Sequence, residues 1–129
     1  MSRRNSRRLC VAHETYRWNV THRHTQGPER CSEVLTLGRE GLSGRLRLVF
    51  RGGDGYGVQD GWLHAGAVVR YEDDTYLNLN LPSTARAFLD VLLADGADFT
   101  RTKELDGWGY LDAAHAEVQA ARARKAAIG

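Results

Sequence analysis

From Glu14 to Gln26 polar and apolar positions alternate, with Tyr16, Trp18, Val20, His22 and His24 on one side and Arg17, Asn19, Thr21 and Arg23 on the other. A period of two predicts a half-buried strand, and Gly27-Pro28 then marks a turn. Residues 32–38, SEVLTLG, predict a shorter strand, and the two glycines of REGLSG suit a hairpin connection to the next run. That run, GRLRLVFR at 44–51, has the cleanest pattern: Leu46, Leu48 and Phe50 face one way, while Arg45, Arg47, Val49 and Arg51 face the other. Such a strand belongs to an antiparallel sheet with one packed side and one wet side.

Residues 52–61, GGDGYGVQDG, carry five glycines and predict a loop. Trp62 to Tyr71 and Thr75 to Leu81 read as a hairpin in which Tyr71 and Tyr76 are cross-strand neighbours. Leu77, Leu79 and Leu81 then face the core, leaving Tyr76, Asn78 and Asn80 on the opposite side. Ser83 is the expected N-cap of a helix to Asp95 with an apolar stripe of Ala85, Phe88, Leu89, Leu92 and Leu93, closed by Gly96. Residues 97–110 look irregular, and Asp112 caps an Ala-rich helix to about Ala127. Val118 is that helix's one bulky mid-helix apolar residue, so it lies on the surface or meets a second chain. The resulting expectation is an α+β fold. An antiparallel sheet of about five strands packs on one amphipathic helix, with a peripheral C-terminal helix, as one domain over residues 9–129. The polar, basic stretch 1–8 precedes it as an arm without apolar residues to dock.

Composition narrows the class. The 129 residues are 42% hydrophobic and 26% charged with a formal net charge of +2, as in an ordinary globular domain. Mean hydropathy is −0.48 and no apolar run approaches the roughly 20 residues that span a bilayer. No apolar stretch follows the first arginines, which argues against a secretory signal and for a cytoplasmic location. Cys10 and Cys31 have no CxxC spacing and read as free thiols. Charge is unevenly placed: residues 1–51 hold 11 Arg and 4 Glu, net +7, whereas residues 52–129 hold 7 basic and 12 acidic residues, net −5. Sixteen arginines against two lysines fit a GC-rich coding bias, so their positions carry more information than their identity.

Those positions suggest an interface. If the strands at 14–26 and 44–51 share a sheet, Arg17, Arg23, Arg45, Arg47 and Arg51 crowd its outer side, with Glu33 the nearest carboxylate. Like charges across a sheet repel, so the cluster needs interleaved carboxylates or an external polyanion. Tyr76 and Asn78, if they continue that surface, add the stacking and amide contacts of a single-strand platform. Arg3, Arg4, Arg7 and Arg8 of the arm add phosphate contacts. Several antiparallel strands followed by a helix is also the element order of small modules that bind single strands, an analogy of topology alone. The leading expectation is therefore a small nucleic-acid-binding accessory or regulatory protein. It prefers single strands to duplex, self-associates, and needs neither membrane, cofactor nor catalysis.

Two other readings compete. The arm, Trp108, Tyr110 and the Ala-rich helix could form the interface of a structural subunit in a larger assembly. His22-x-His24 places two imidazoles on one side of a strand, and with Cys31 they could hold a divalent ion in a metal-dependent enzyme. That spacing is not diagnostic. The carboxylates around the glycine-rich loop fit neither an EF-hand nor a phosphate loop, and no G-x-S-x-G elbow occurs.

Overall fold

The computed structural model describes residues 6–24, 31–58 and 65–128. In chain order the elements are β1 (Arg7–Val11), β2 (Glu14–His24), β3 (Cys31–Arg39), β4 (Leu46–Arg51), β5 (Tyr56–Val58), β6 (Ala67–Arg70), β7 (Thr75–Asn78), α1 (Pro82–Ala94), β8 (Lys103–Asp106) and α2 (Leu111–Ile128). The fold is α+β, as the pattern predicts, but with two sheets: a five-stranded one ordered β1-β2-β3-β4-β8, and a three-stranded one ordered β5-β6-β7.

The alternation in β2 and β4 works as expected. Trp18 pairs with Leu37 and Leu37 with Leu46, while Val20 pairs with Leu35 and Leu35 with Leu48. Leu35, Leu37 and Leu48 are fully buried, each contributing about 1.5–3 kcal/mol of apolar burial. Phe50 continues this core, meeting Phe88 of α1 edge-on at 5.6 Å. A Cβ at Gly107 would stand 2.5 Å from the Phe50 ring, so the chain passes there only without a side chain.

The five-stranded sheet has a different membership from the one expected. Arg7 and Arg8, the last two residues of the expected arm, open strand β1: Ala12 and His13 take the left-handed conformation at φ 51° and 69° and fold β1 back onto β2. A two-residue connection of that hand matches strand twist, but Ala-His carries none of the usual Asn-Gly signal. At the other edge β8 pairs parallel with β4, Leu48 opposite Leu105, within a segment expected to be irregular. The expected hairpin instead forms the second sheet. Its third strand, β5, lies inside the glycine-rich stretch expected to be loop. Tyr71 lies over Gly57 of that strand, where a Cβ would sit 2.2 Å from its hydroxyl and displace the ring.

Smaller boundaries also move. Tyr71 lies in the turn and Tyr76 pairs with Val69, so these tyrosines are not cross-strand neighbours. Leu81 is 40% exposed and takes the N-cap position of α1 without a side-chain cap, because Pro82 opens the helix and draws Ser83 into its first turn. Gly96 closes α1 at φ 80°, as expected. Leu111, Ala114 and Val118 dock α2 against α1, whereas residues 121–127 are exposed throughout. No described helix is long and apolar enough to cross a membrane. The Gly27-Pro28 turn and Trp62 lie outside the described residues.

Candidate functional site

The large sheet has one packed face, toward α1, and one outer face on which neither helix lies. Register assigns Arg17, Asn19, Thr21 and Arg23 of β2, Ser32, Val34, Thr36 and Gly38 of β3, and Arg47, Val49 and Arg51 of β4 to that outer face. Arg8 joins them from β1, and Glu104 and Asp106 from β8. Register therefore brings four of the five expected arginines, Arg17, Arg23, Arg47 and Arg51, to one side, since two alternating strands share a sheet with their apolar sides together.

Its arginines differ in how they are matched. Arg17 donates to Glu40 at 2.9 Å and to Ser6 at 3.4 Å, and Arg8 stands 3.6 Å from the same carboxylate. Arg23 reaches from β2 over both intervening strands to hold Glu104 of β8 at 2.9 and 3.5 Å. Val34 and Val49, on those intervening strands, are only 1% exposed although they point outward. Arg45, just before β4, donates to the carbonyls of Leu42 and Gly44 at 3.2 and 2.8 Å. It lies against Gly38, where a Cβ would come within 2.8 Å of its side chain.

The guanidinium groups of Arg47 and Arg51 have no hydrogen-bond or ion-pair partner among the described residues. Their charge is nonetheless felt: the hydrogen bond from Arg23, and then the charges of Arg23, Arg47 and Arg51, hold the Glu104 carboxyl below its usual range. Glu33, expected beside these arginines, is on the packed face and 1% exposed. There it bonds His22 Nδ1 and accepts from the Gly66 N–H at 3.2 Å. The carboxylates that pair with the outer arginines are Glu40 and Glu104, from a β3–β4 connection and a strand whose positions the pattern did not fix.

The remaining candidates are dispersed. Arg7 points to the packed side, its guanidinium 4.1 Å over the Trp18 ring and donating to the Asn80 carbonyl at 2.9 Å, so it props the core rather than extending the cationic face. Arg3 and Arg4 lie outside the described residues. Tyr76 and Asn78 belong to the small sheet, which removes them from the arginine wall. Asn78 there accepts from the Asn80 N–H at 3.0 Å. No aromatic side chain stands on the outer face among the described residues.

Trp108 is half-buried, donating from its indole nitrogen to the Arg51 carbonyl at 2.9 Å and packing on Phe50 and Tyr56. Tyr110 likewise packs against the core. Both proposed interface residues thus have partners within the domain. Of the metal candidates, His22 is bonded to Glu33, His24 stands opposite Cys31 in register, and the His24 side chain is outside the described set. Among the described residues no group of three or more His, Cys, Asp or Glu side chains is arranged to hold a metal ion. Comparison of the chain with protein-family models, curated proteins and solved structures finds no match.

Proposed function

We propose that the outer face of the five-stranded sheet binds nucleic acid through its phosphate backbone, as an accessory or regulatory protein without chemistry of its own. The observation that carries this reading is the pair Arg47 and Arg51, on a face no helix covers and without a carboxylate partner among the described residues. They stand four residues apart on β4, about 13 Å along the strand. Unmatched guanidinium groups at that separation are suited to successive anionic groups of one extended chain. The ligand favoured is a single strand, whose flexible backbone can follow cations spaced along one β-strand. With stacking aromatics absent from it, recognition of the backbone is electrostatic and independent of sequence.

Fluorescence anisotropy of a labelled oligonucleotide across a salt series tests the reading. Affinity should fall log-linearly with salt, each phosphate contact adding about 0.7 to the slope for a single strand. No binding at low salt would overturn the proposal and favour the protein-subunit alternative, which the exposed 121–127 stretch of α2 supports.

A further inference from the structure

The outer face is not uniformly shallow. Between β2, β3 and the β3–β4 connection it forms a cleft of about 680 Å³, whose lining includes Arg17, Asn19, Thr36, Gly38, Glu40 and Arg45. That volume lies in the range of small-molecule sites, about 300–1,000 Å³. Asn19 and Thr36 are directly opposite in register, so two neutral polar side chains stand side by side within it.

Asn19 is the informative residue. It is only 9% exposed, it lines the cleft, and its amide has no hydrogen-bond partner among the described residues. Its polar atoms are not sealed from solvent, so the amide is open to a complementary group entering the cleft. A side-chain amide offers one acceptor and one donor edge together. Both guanidinium groups beside it are already held in place: Arg45 by two backbone carbonyls, and Arg17 by Glu40 and Ser6. The Nη2 groups of both take no part in those bonds. The site therefore combines a planar donor–acceptor pair with two fixed cations.

We infer that this cleft takes one adenine nucleotide, the base edge on the Asn19 amide and the phosphate on Arg17 and Arg45. Asn pairs in two-point fashion with adenine, its carbonyl accepting from the exocyclic amine and its amide donating to the ring nitrogen. The inference rests on the reading that the outer face takes nucleic acid, and gives that face a fixed anchor point. A free nucleotide and a nucleotide within a strand present the same chemistry here.

Calorimetry with adenosine monophosphate, cytidine monophosphate and inorganic phosphate, alongside anisotropy with oligo(dA) and oligo(dC), tests it. Adenosine monophosphate should bind with 1:1 stoichiometry and at least about tenfold more tightly than either comparator. Asn19→Asp, nearly the same shape but lacking the donor, should abolish that preference while leaving the thermal midpoint close to that of the parent. Arg45→Gln, at an exposed position, should weaken all three ligands. Adenosine monophosphate binding no tighter than phosphate, or a preference that survives Asn19→Asp, overturns the inference. If oligonucleotides bind while the mononucleotide does not, the cleft assignment fails and the sheet-face reading stands. If only the mononucleotide binds, the cleft is a free-nucleotide site and the strand-binding reading fails.

Discussion

Two arginine environments on two strands define the molecule's electrostatics. Arg70, at the end of β6, is gripped by Asp73 and Asp112, both at 2.7 Å, and tied to Thr75. Those bonds raise the Arg70 guanidinium far above its usual range and hold the two carboxyls well below theirs. Arg47 and Arg51 on β4 have no such grip among the described residues. The first environment is closed, stitching the small sheet to the start of α2; the second leaves charge available to the outside. The uneven charge of the two halves of the chain is thus partly evened out in space: Glu104 of the second half meets Arg23 of the first, while Arg47 and Arg51 stay unmatched on the outer face.

The largest expected departure is on the open side. Arg47→Ala with Arg51→Ala should weaken oligonucleotide binding at low salt by roughly tenfold or more and lower the salt slope by about 1.4, alike for all sequences. Thermal stability should stay within about 0.5 kcal/mol. Equal loss of stability and binding would show that the two environments do not differ in kind.

Arg70→Ala should do the reverse, leaving oligonucleotide affinity unchanged while lowering the thermal midpoint modestly, as expected of exposed pairs. Its pH dependence has a definite sign. Because Asp73 and Asp112 have depressed folded pKa values, their contribution is complete above the ordinary value of 3.8 and is lost as pH falls below it. The gap in midpoint between parent and variant should therefore be constant from neutrality to about pH 5 and narrow below about 3.8.

The smallest effect is the most discriminating. Glu104→Gln removes the carboxylate that occupies Arg23 and should tighten oligonucleotide binding about two- to threefold at low salt, with the gain erased by screening at high salt. A merely structural face would bind no better.

What could be read in advance follows from which forces leave a mark on short stretches of sequence. Alternation in 14–24 and 46–51 is enforced by one packed side, so the outward direction of Arg17, Arg23, Arg47 and Arg51 was legible. β1 and β8 are edge strands whose pairing is made largely by backbone groups, and RRLCV and KELD show little periodicity. Missing β8 hid Glu104, and with it the partner of Arg23. Glu33 misled because it breaks the rule its own strand obeys: a carboxylate on the packed side, tolerated because His22 and the Gly66 N–H meet it. Asn19 gave no signal, since only the curl of the β3–β4 connection turns a polar strand position into the wall of a cleft.

The parallel strand at the sheet's margin also sets a schedule for assembly. Leu46 cannot complete its backbone ladder until Lys103 has been synthesised, and the clasp from Arg23 joins residues 81 positions apart. Until then a nascent chain presents an open β4 margin able to recruit a neighbouring polypeptide. Closing that margin late adds a non-local pairing to the search for the native fold, which slows it.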